Sequence, residues 1–407
     1  MSCCDHPGLM PVDQMINALQ QQVRAVTQTE NVPVGQALGR VLAADITSAV
    51  QVPPADNSAM DGYALRLCDY QPGKALPISQ RIPAGAAPAP LQAGTVARIF
   101  TGASVPEGAD VVVMQEVCRE DNNQLICEKN LIAGDNIRAA GQDIQHGQVV
   151  LEKGRKLQPQ DLGLLASIGV ANVSVYRRLK IALISTGDEI REPGETLAPG
   201  QIYNSNRYTL LGLCQAMGFD VLDLGTLADD FAITRNAFAA AAEQADVIIS
   251  SGGVSVGEED HVKAAVSALG ELNLWRMAIK PGKPFAFGRV GQTPFIGLPG
   301  NPSAVFVTFL IVARGYLLAC QGVKQKPSAP LQLPIDFELK KPGKRREYYR
   351  VRIVQKDGQL MLEKHPNQSS GVLSSASWAD GFAILELDQT FERGQLVPYI
   401  SFSQLLS

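Results

Sequence analysis

The chain has 407 residues, more than a single packed core usually holds, so several domains are expected. Its 36 Lys and Arg against 40 Asp and Glu leave a formal charge of −4, which excludes a global attraction to nucleic acid or an anionic membrane and leaves any anion binding to local sites. With 45% hydrophobic and 19% charged residues it is no disordered chain, and its seven scattered cysteines and four isolated histidines make neither a disulfide framework nor a zinc-hydrolase motif.

The N-terminal MSCCDHPGLM has no charged, apolar leader, so no signal peptide is read there. Residues 11–26 carry a helical stripe of Val12, Met15, Ile16, Leu19, Val23 and Val26. After Pro53-Pro54, short apolar runs such as Val96–Phe100, Val111–Val113 and Leu125–Cys127 alternate with Gly and Pro clusters to about residue 142, which predicts a small all-β module. Pro159 opens a helix that Gly169 ends. From Lys180 the pattern changes. Ile181–Ser185 is continuously apolar, as in a strand covered on both faces. Helices are predicted at 205–217, 231–244, 258–269 and 302–319, and strands at 219–224, 247–250, 272–279, 284–290 and 294–298. This alternation predicts an open, mostly parallel sheet with helices on both faces. The apolar run Val305–Cys320 contains Arg314, is too short to span a bilayer and reads as a buried helix. A reducing, cytoplasmic location is expected. Beyond Pro327 and Pro330, strands over 331–339, 348–354, 359–363, 381–387 and 396–402 predict a second β domain.

The segment Ser250-Ser251-Gly252-Gly253-Val254-Ser255, running on to Asp260, joins a buried strand to a helix through a Gly/Ser loop at the carboxyl edge of the parallel sheet. Glycines admit a close ligand, and free N–H groups at a helix start favour an anion. The G-x-G-x-x-G and Walker spacings are absent. Lys280-Pro281-Gly282-Lys283-Pro284 holds two lysines on a stiff turn, suited to phosphate. Leu298-Pro299-Gly300-Asn301-Pro302 places another rigid turn before a helix. Asp188, Glu189, Asp229 and Asp260 fall at strand ends on the same edge, a pattern that fits Mg²⁺ beside phosphate. The basic run 340–346 reads as a solvated strand edge that discourages aggregation, with an anion-binding rim as the other reading.

NSAMDGYA, FTGA, NIRAAGQDI, STGDE, SSGGVSVGEED, KPGKPFAFG and GLPGNP occur in the order found in the MoeA family, and the chain resembles that family along nearly its whole length. These are the molybdopterin molybdenumtransferases, a group that includes the E domain of gephyrin. The resemblance implies a multidomain α/β plus β protein: an elongated N-terminal domain (1–50 and 143–178), an inserted small β domain (51–142), a three-layer molybdopterin-binding α/β domain (179–328) and a C-terminal β-barrel-like domain (329–407). It implies insertion of molybdate into adenylylated molybdopterin with Mg²⁺ and release of AMP, in a homodimer whose cleft joins the α/β domain of one copy to the first domains of the other. An adenylyltransferase and molybdenum apoenzymes are the further partners it implies.

Carried over by motif, Asp61, Thr101, Arg138 and Asp143 would face that cleft. Asp188, Glu189 and Asp229 would border the pterin and metal site. Ser250, Ser251, Gly252, Gly253 and Ser255 would cradle a phosphate, with Asp260 near the pterin. Lys280 and Lys283 would neutralise phosphate and draw in molybdate, Pro299 and Pro302 would shape the molybdate pocket, and Arg350 would help bind the oxyanion. The implied catalytic set is Asp61, Thr101, Asp143, Glu189, Asp260, Lys280 and Lys283. His261 replaces a family tyrosine, and Ala139-Ala140 replace residues that are basic in some relatives. An adenylyltransferase on the same α/β module is set aside because it would lack the NSAMDGYA and FTGA segments, and two other readings stay open: a carrier or scaffold without turnover, and a tungsten-selective paralogue.

Overall fold

The computed structural model describes residues 8–253, 261–324, 329–356 and 358–406. At its centre is a six-stranded sheet of β1 (Lys180–Thr186), β2 (Asp220–Leu227), β3 (Val247–Ser251), β4 (Gly270–Arg276), β5 (Pro284–Val290) and β6 (Thr293–Leu298), in the spatial order β2-β1-β3-β6-β5-β4. The first four in that order are parallel, and β5 and β4 add an antiparallel edge. The continuous apolar runs are explained by period-two alternation into two cores. Ile181, Leu183, Val247 and Ile249 point into one. Ala182, Ile184 and Ile248 point into the other.

Helices cover both faces. On the first lie α1 (Val12–Gln20), α3 (Ser205–Ala216) and α6 (Pro302–Cys320), through Met15, Leu19, Leu210, Leu213, Val305 and Leu317. On the second lie α4 (Phe231–Gln244) and α5 (His261–Leu269), through Phe238, Ala241, Val262 and Val266. Helix α6 is long and apolar enough to cross a membrane by length and composition, but 72% of its most apolar window is buried in the protein. A π-helical turn at Phe309–Ala313 interrupts it, and Arg314 donates to the Leu405 carbonyl.

Before the sheet, Thr29–Pro33 pairs with Asn172–Tyr176, and Ile46–Thr47 with Val149–Leu151, so the chain on either side of the β module closes on itself. Helix α2 (Pro159–Ser167) sits there with proline in its first turn. Asp161 accepts from the Gln158 N–H and from Arg155. The module between is a six-stranded sheet that includes Gly62–Leu65 and Val96–Ile99, with its own core around Tyr63, Leu65, Val96 and Leu125.

The C-terminal sheet is built on Arg346–Lys356, flanked by Gly381–Leu385 and Gln359–Lys364, and continues through Leu396–Ser401 to Leu331–Pro334. Two expectations shift. The strand expected over 272–279 stops at Arg276, because Ile279–Lys280 leaves the central sheet to pair in parallel with Arg346–Glu347. The strand expected over 331–339 stops at Pro334, beyond which Ile335 makes only a single bridge to Leu362. Helices at Ser374–Trp378 and Phe402–Leu406 are too short to leave a periodic signature.

The start of the central sheet is pinned by Asp246. Its carboxylate takes two hydrogen bonds from the Arg177 guanidinium (2.6 and 2.7 Å) and one from the Lys180 N–H (2.8 Å). Partial burial opposes ionisation, but Arg177 and the Lys180 N–H outweigh it and hold the carboxyl below the usual range. A carboxyl depressed in the folded state adds stability above its unfolded value of about 4 and loses it as pH falls through the folded value. Asp246→Asn is therefore expected to melt lower than the parent chain at pH 7. The two melting temperatures should converge as pH falls from about 5 towards 3, which thermal melts across that range would measure.

Candidate active site

Helix α3 leaves β1 on one face and α4 leaves β2 on the other, so the chain reverses direction across the sheet between the neighbouring strands β1 and β3. Open α/β sheets bind ligands outside the carboxyl ends of their strands at such a point. A cleft of about 890 Å³ opens there. One wall is made by the turns after the parallel strands: Thr186, Gly187 and Glu189 after β1, Asp229 after β2, Gly252 and Gly253 after β3, and Pro299, Gly300 and Asn301 after β6. The 280–284 turn forms the base, and Arg345 with Gln368, Ser369 and Ser370 of the C-terminal sheet closes the other side.

The backbone is held close at two points. Gly253 has φ +64°, and a Cβ there would lie 2.3 Å from the Val262 side chain, so the loop is pressed on the first turn of α5. Gly282 has φ +112°, and a Cβ there would lie 2.3 Å from Thr308 Oγ1 of α6. Any side chain at either position would push the loop into the cleft.

The two lysines of the turn differ. Lys280 Nζ lies 3.1 Å from both carboxylate oxygens of Glu347, which is only 6% exposed. Its charge is already matched. Lys283 is exposed and has no ion-pair partner among the described residues. Arg345 donates to the Ile279 carbonyl (3.2 Å) and likewise has no carboxylate partner among them. Among the described residues, the cations of the cleft without an acid partner are thus Lys283 and Arg345.

Glu189 and Asp229 face the cleft. Asp188 beside them accepts from the Asp229 N–H at 3.2 Å, and Asp230 caps α4 through the Ile233 N–H at 2.8 Å. No group of three His, Cys, Asp or Glu side chains placed to hold a metal ion occurs among the described residues. Asp188, Glu189 and Asp229 are therefore not a self-sufficient cage. Mg²⁺ held by one or two of these carboxylates would need its remaining ligands from water or from an anionic ligand's oxygens, its common mode of binding.

Ser250 and Ser251 are buried at the end of β3. Ser251 Oγ meets Ser185 Oγ at 3.2 Å, and Ser250 Oγ has no hydrogen-bond partner among the described residues. Gly252 and Gly253, rather than these hydroxyls, present the loop to the cleft. Ser255 and Asp260 lie outside the described residues, and His261, next in the chain, lines the cleft. Pro299 lines it too, whereas Pro302 starts α6 just behind.

Arg350 does not reach the cleft surface. It is 1% exposed, and its guanidinium donates to Ser375 Oγ (3.0 Å) and to the Ser369 carbonyl (3.1 Å). Burial pulls it down to about 10, and no carboxylate pairs with it among the described residues. Its backbone is clasped by the Gln368 side chain, which accepts from the Arg350 N–H and donates to the Arg350 carbonyl. Arg350 thus sits behind the cleft wall and fixes the 368–370 loop from inside.

Asp61, Thr101, Arg138 and Asp143 belong to the β module and its flank, and none lines the cleft of this chain. The structure does join Asp61 to Thr101: one carboxylate oxygen accepts both the Thr101 N–H and its hydroxyl, each at 2.8 Å. These bonds hold the Asp61 carboxyl below the usual range, with Arg98 acting in the same direction. Arg138 is exposed on a short strand opposite Asn57, in the turn that leads to Asp61. Asp143 is exposed as well.

The cleft residues Arg345, His261, Asn301, Gln368, Ser369 and Ser370 were not among those expected. The basic run 340–346 contained the signal for Arg345. Within that run Lys340, Lys344 and Arg346 do pair with acids of the surface, and only Arg345 turns to the cleft.

Three family models match successive parts of the chain: the MoeA N-terminal region (domain I and II) over residues 10–169, a probable molybdopterin binding domain over 182–319, and the MoeA C-terminal region (domain IV) over 332–402. The chain is 40% identical over 406 residues to the molybdopterin molybdenumtransferase of Haemophilus influenzae, covering 98% of this chain and 100% of that one. It is 34% identical over 398 residues to the molybdopterin molybdenumtransferase of Nostoc sp., covering 95% and 91%. Its fold matches the crystal structure of the molybdopterin biosynthesis MoeA protein from Pyrococcus horikoshii OT3 with a TM-score of 0.82 at 27% identity, covering 97% of this chain and 100% of that one. With its sequence matched from end to end and its fold shared, the chain belongs to the MoeA family of molybdopterin molybdenumtransferases.

Proposed function

We propose that this transferase of molybdenum cofactor biosynthesis binds adenylylated molybdopterin and molybdate in the cleft at the carboxyl edge of the central sheet, releases AMP and leaves molybdenum on the dithiolene sulfurs. The observation that carries the reading is the pairing of Lys283 and Arg345, two cations without an acid partner among the described residues, with a glycine loop and carboxylates in one cleft. Both substrates are anions. Release of AMP gathers negative charge on phosphate oxygens, and fixed cations that meet this charge as it develops account for much of the rate in such reactions.

Lys283, on a turn stiffened by two prolines and pressed against α6, offers its ammonium at little entropic cost. Arg345 offers a planar fork suited to an oxyanion. Ser369 and Ser370, held from behind by Arg350, supply polar groups beside them. Gly252 and Gly253 let a phosphate approach the backbone. Glu189 and Asp229 would hold Mg²⁺ together with the substrate's phosphates, and the ion would supply further neutralisation of charge there. Holding molybdate beside the dithiolene is a proximity effect. Asp61 and Thr101, with Arg138 and Asp143, would be presented to the cleft by a second copy of the chain in a homodimer.

Purified protein, adenylylated molybdopterin and Mg²⁺ should release AMP in a molybdate-dependent manner, and the product should activate a molybdenum apoenzyme. Tight binding of the adenylate with no molybdate-dependent cleavage, in folded protein, would replace this reading with a carrier.

Two substitutions separate the lysines. Lys283→Ala is expected to lower kcat/KM by about 10²-fold with little change in melting temperature, because the side chain is exposed and has no acid partner among the described residues. Glu347→Gln removes the counter-ion of Lys280. It should lower the melting temperature and tighten molybdate binding, as calorimetric titration would read, because the cleft gains an uncompensated ammonium.

A further inference from the structure

The β module ends in a hairpin of Cys118–Asp121 and Gln124–Cys127. Its two turn residues, Asn122 and Asn123, are both left-handed, with φ of 48° and 60°. This is the two-residue turn whose twist matches that of the flanking strands. In such a hairpin the residues that flank the turn, here Asp121 and Gln124, exchange both backbone hydrogen bonds, and bonded and non-bonded pairs then alternate outward. Glu120–Leu125 is non-bonded and Arg119–Ile126 bonded, so Cys118–Cys127 falls at a non-bonded pair.

At non-bonded pairs the Cα atoms approach to about 4.5 Å and the side chains are closest. Disulfide-linked cysteines have Cα separations of roughly 4.4–6.8 Å. Both side chains pack into the core around Tyr63, Leu65 and Leu125, so they share one face of the hairpin. Both are free thiols. Cys127 is 2% exposed, while Cys118 is partly exposed at the edge of the core.

We propose that Cys118 and Cys127 are a covalent modification site, closed into a cross-strand disulfide by exchange with a low-molecular-weight disulfide. Cys118 loses its proton and attacks the small disulfide, forming a mixed disulfide and expelling one small thiolate. Cys127 then loses its proton, attacks the Cys118 sulfur and expels the second. Two protein thiols and one small disulfide become one protein disulfide and two small thiols.

Reaction at neutral pH is slow. Burial, with a smaller push from Cys127 and Glu116 that Arg98 only partly offsets, drives the Cys118 thiol up to about 12. The Tyr70 hydroxyl, bonded to the carbonyls of Cys127 (2.9 Å) and Lys129 (2.6 Å), covers the inner partner. The closed form fixes the edge strand that carries Glu120, whose carboxylate accepts from the Tyr63 hydroxyl at 2.7 Å, two residues beyond Asp61. The inference is independent of the proposed reaction.

The test incubates the folded full-length chain with glutathione disulfide at pH 9, alkylates the remaining thiols and maps peptides by mass spectrometry. The Cys118 and Cys127 peptides should be found joined, with neither carrying glutathione, while the exposed Cys68 becomes glutathionylated and reports that the reagent is active. In Cys127→Ser, glutathione should stay on Cys118. Amides of the closed hairpin should exchange with deuterium about tenfold more slowly than in the reduced protein. Glutathione retained on Cys118 of the parent chain, or both thiols recovered alkylated while Cys68 is modified, would overturn the proposal.

Discussion

The architecture depends on a short seam. Ile279–Lys280 leaves the central α/β sheet and pairs in parallel with Arg346–Glu347 of the C-terminal sheet, which brings the 280–284 turn and Arg345 to the same cleft. Glu347 is buried at this seam, and a buried carboxylate without a counter-charge is costly by several kcal/mol. Lys280 meets that need with both carboxylate oxygens in reach. Around it the Arg346 N–H donates to the Ala278 carbonyl, the Arg346 side chain pairs with Asp13 of α1 and with Glu386, the Met10 N–H donates to the Arg276 carbonyl, and the Met10 carbonyl accepts from the Ala278 N–H. Two sheets and the first helix thus meet at a few residues beside the cleft, and the position of the lysine turn is set by the whole assembly.

This has an electrostatic consequence. One lysine of the pair is committed to structure, so at the cleft surface the cations without an acid partner among the described residues are Lys283 and Arg345. Neither is deeply desolvated, and both are held: Gly282 before Lys283 is packed on Thr308, the Arg345 guanidinium donates to the Ile279 carbonyl, and the next backbone N–H, that of Arg346, donates to the Ala278 carbonyl. Arg350 works from the other side. A buried guanidinium without a carboxylate would be a poor choice for stability alone. Here its donors are spent on Ser375 and on the Ser369 carbonyl, which fixes the wall that faces the lysine turn. Its positive charge also stays close behind that wall, where the medium is less polar than water and an anion in the cleft would feel it more strongly.

Much of the fold was legible in the sequence because its main signals are local. Ile181–Ser185 and Val247–Ser250 read as strands covered on both faces, and they are. Phe231–Gln244 has the limits expected from its Ala-rich pattern and the Asp230 cap. The motifs gave the glycine loop, Pro299, Glu189, Asp229 and the lysine turn, all of which line the cleft. What could not be read was long-range pairing. Nothing near Lys280 in sequence announces a carboxylate at Glu347, so the two lysines looked equivalent. Arg345 sits in a run of like charges whose lysines are solvent-exposed and whose Arg346 pairs with Asp13 and Glu386, and only the pairing of Ile279–Lys280 with the neighbouring Arg346–Glu347 brings it to the cleft. Arg350 was expected to help bind the oxyanion, and its burial behind the wall could not be foreseen because burial of a charge leaves no mark in local sequence.

The β module poses the remaining physical question. Asp61 and Thr101 form a tight pair, with two hydrogen bonds on one carboxylate oxygen, yet they lie outside the cleft of their own chain. A carboxylate ordered this way, with its acidity raised by Thr101 and Arg98, costs conformational entropy that a mere surface turn would not need to spend. Its neighbourhood is built to hold it. The Gly62 carbonyl, one residue on, accepts from Arg98 at 2.8 Å, and the Arg98 guanidinium lies 5.0 Å from the Tyr63 ring and 4.7 Å from that of Phe100. The Gln115 N–H holds the Asp61 carbonyl, and Gly62 leaves no room for a side chain against Val113. Rigid placement of an exposed, ionised group is what a site shared between two copies of a chain requires, because the incoming half must meet the cleft without reorganising. The cleft supplies cations and backbone, and the β module supplies a fixed acid. Under the proposed reaction the two are halves of one centre, and the stiffness of each half is what would let them act together.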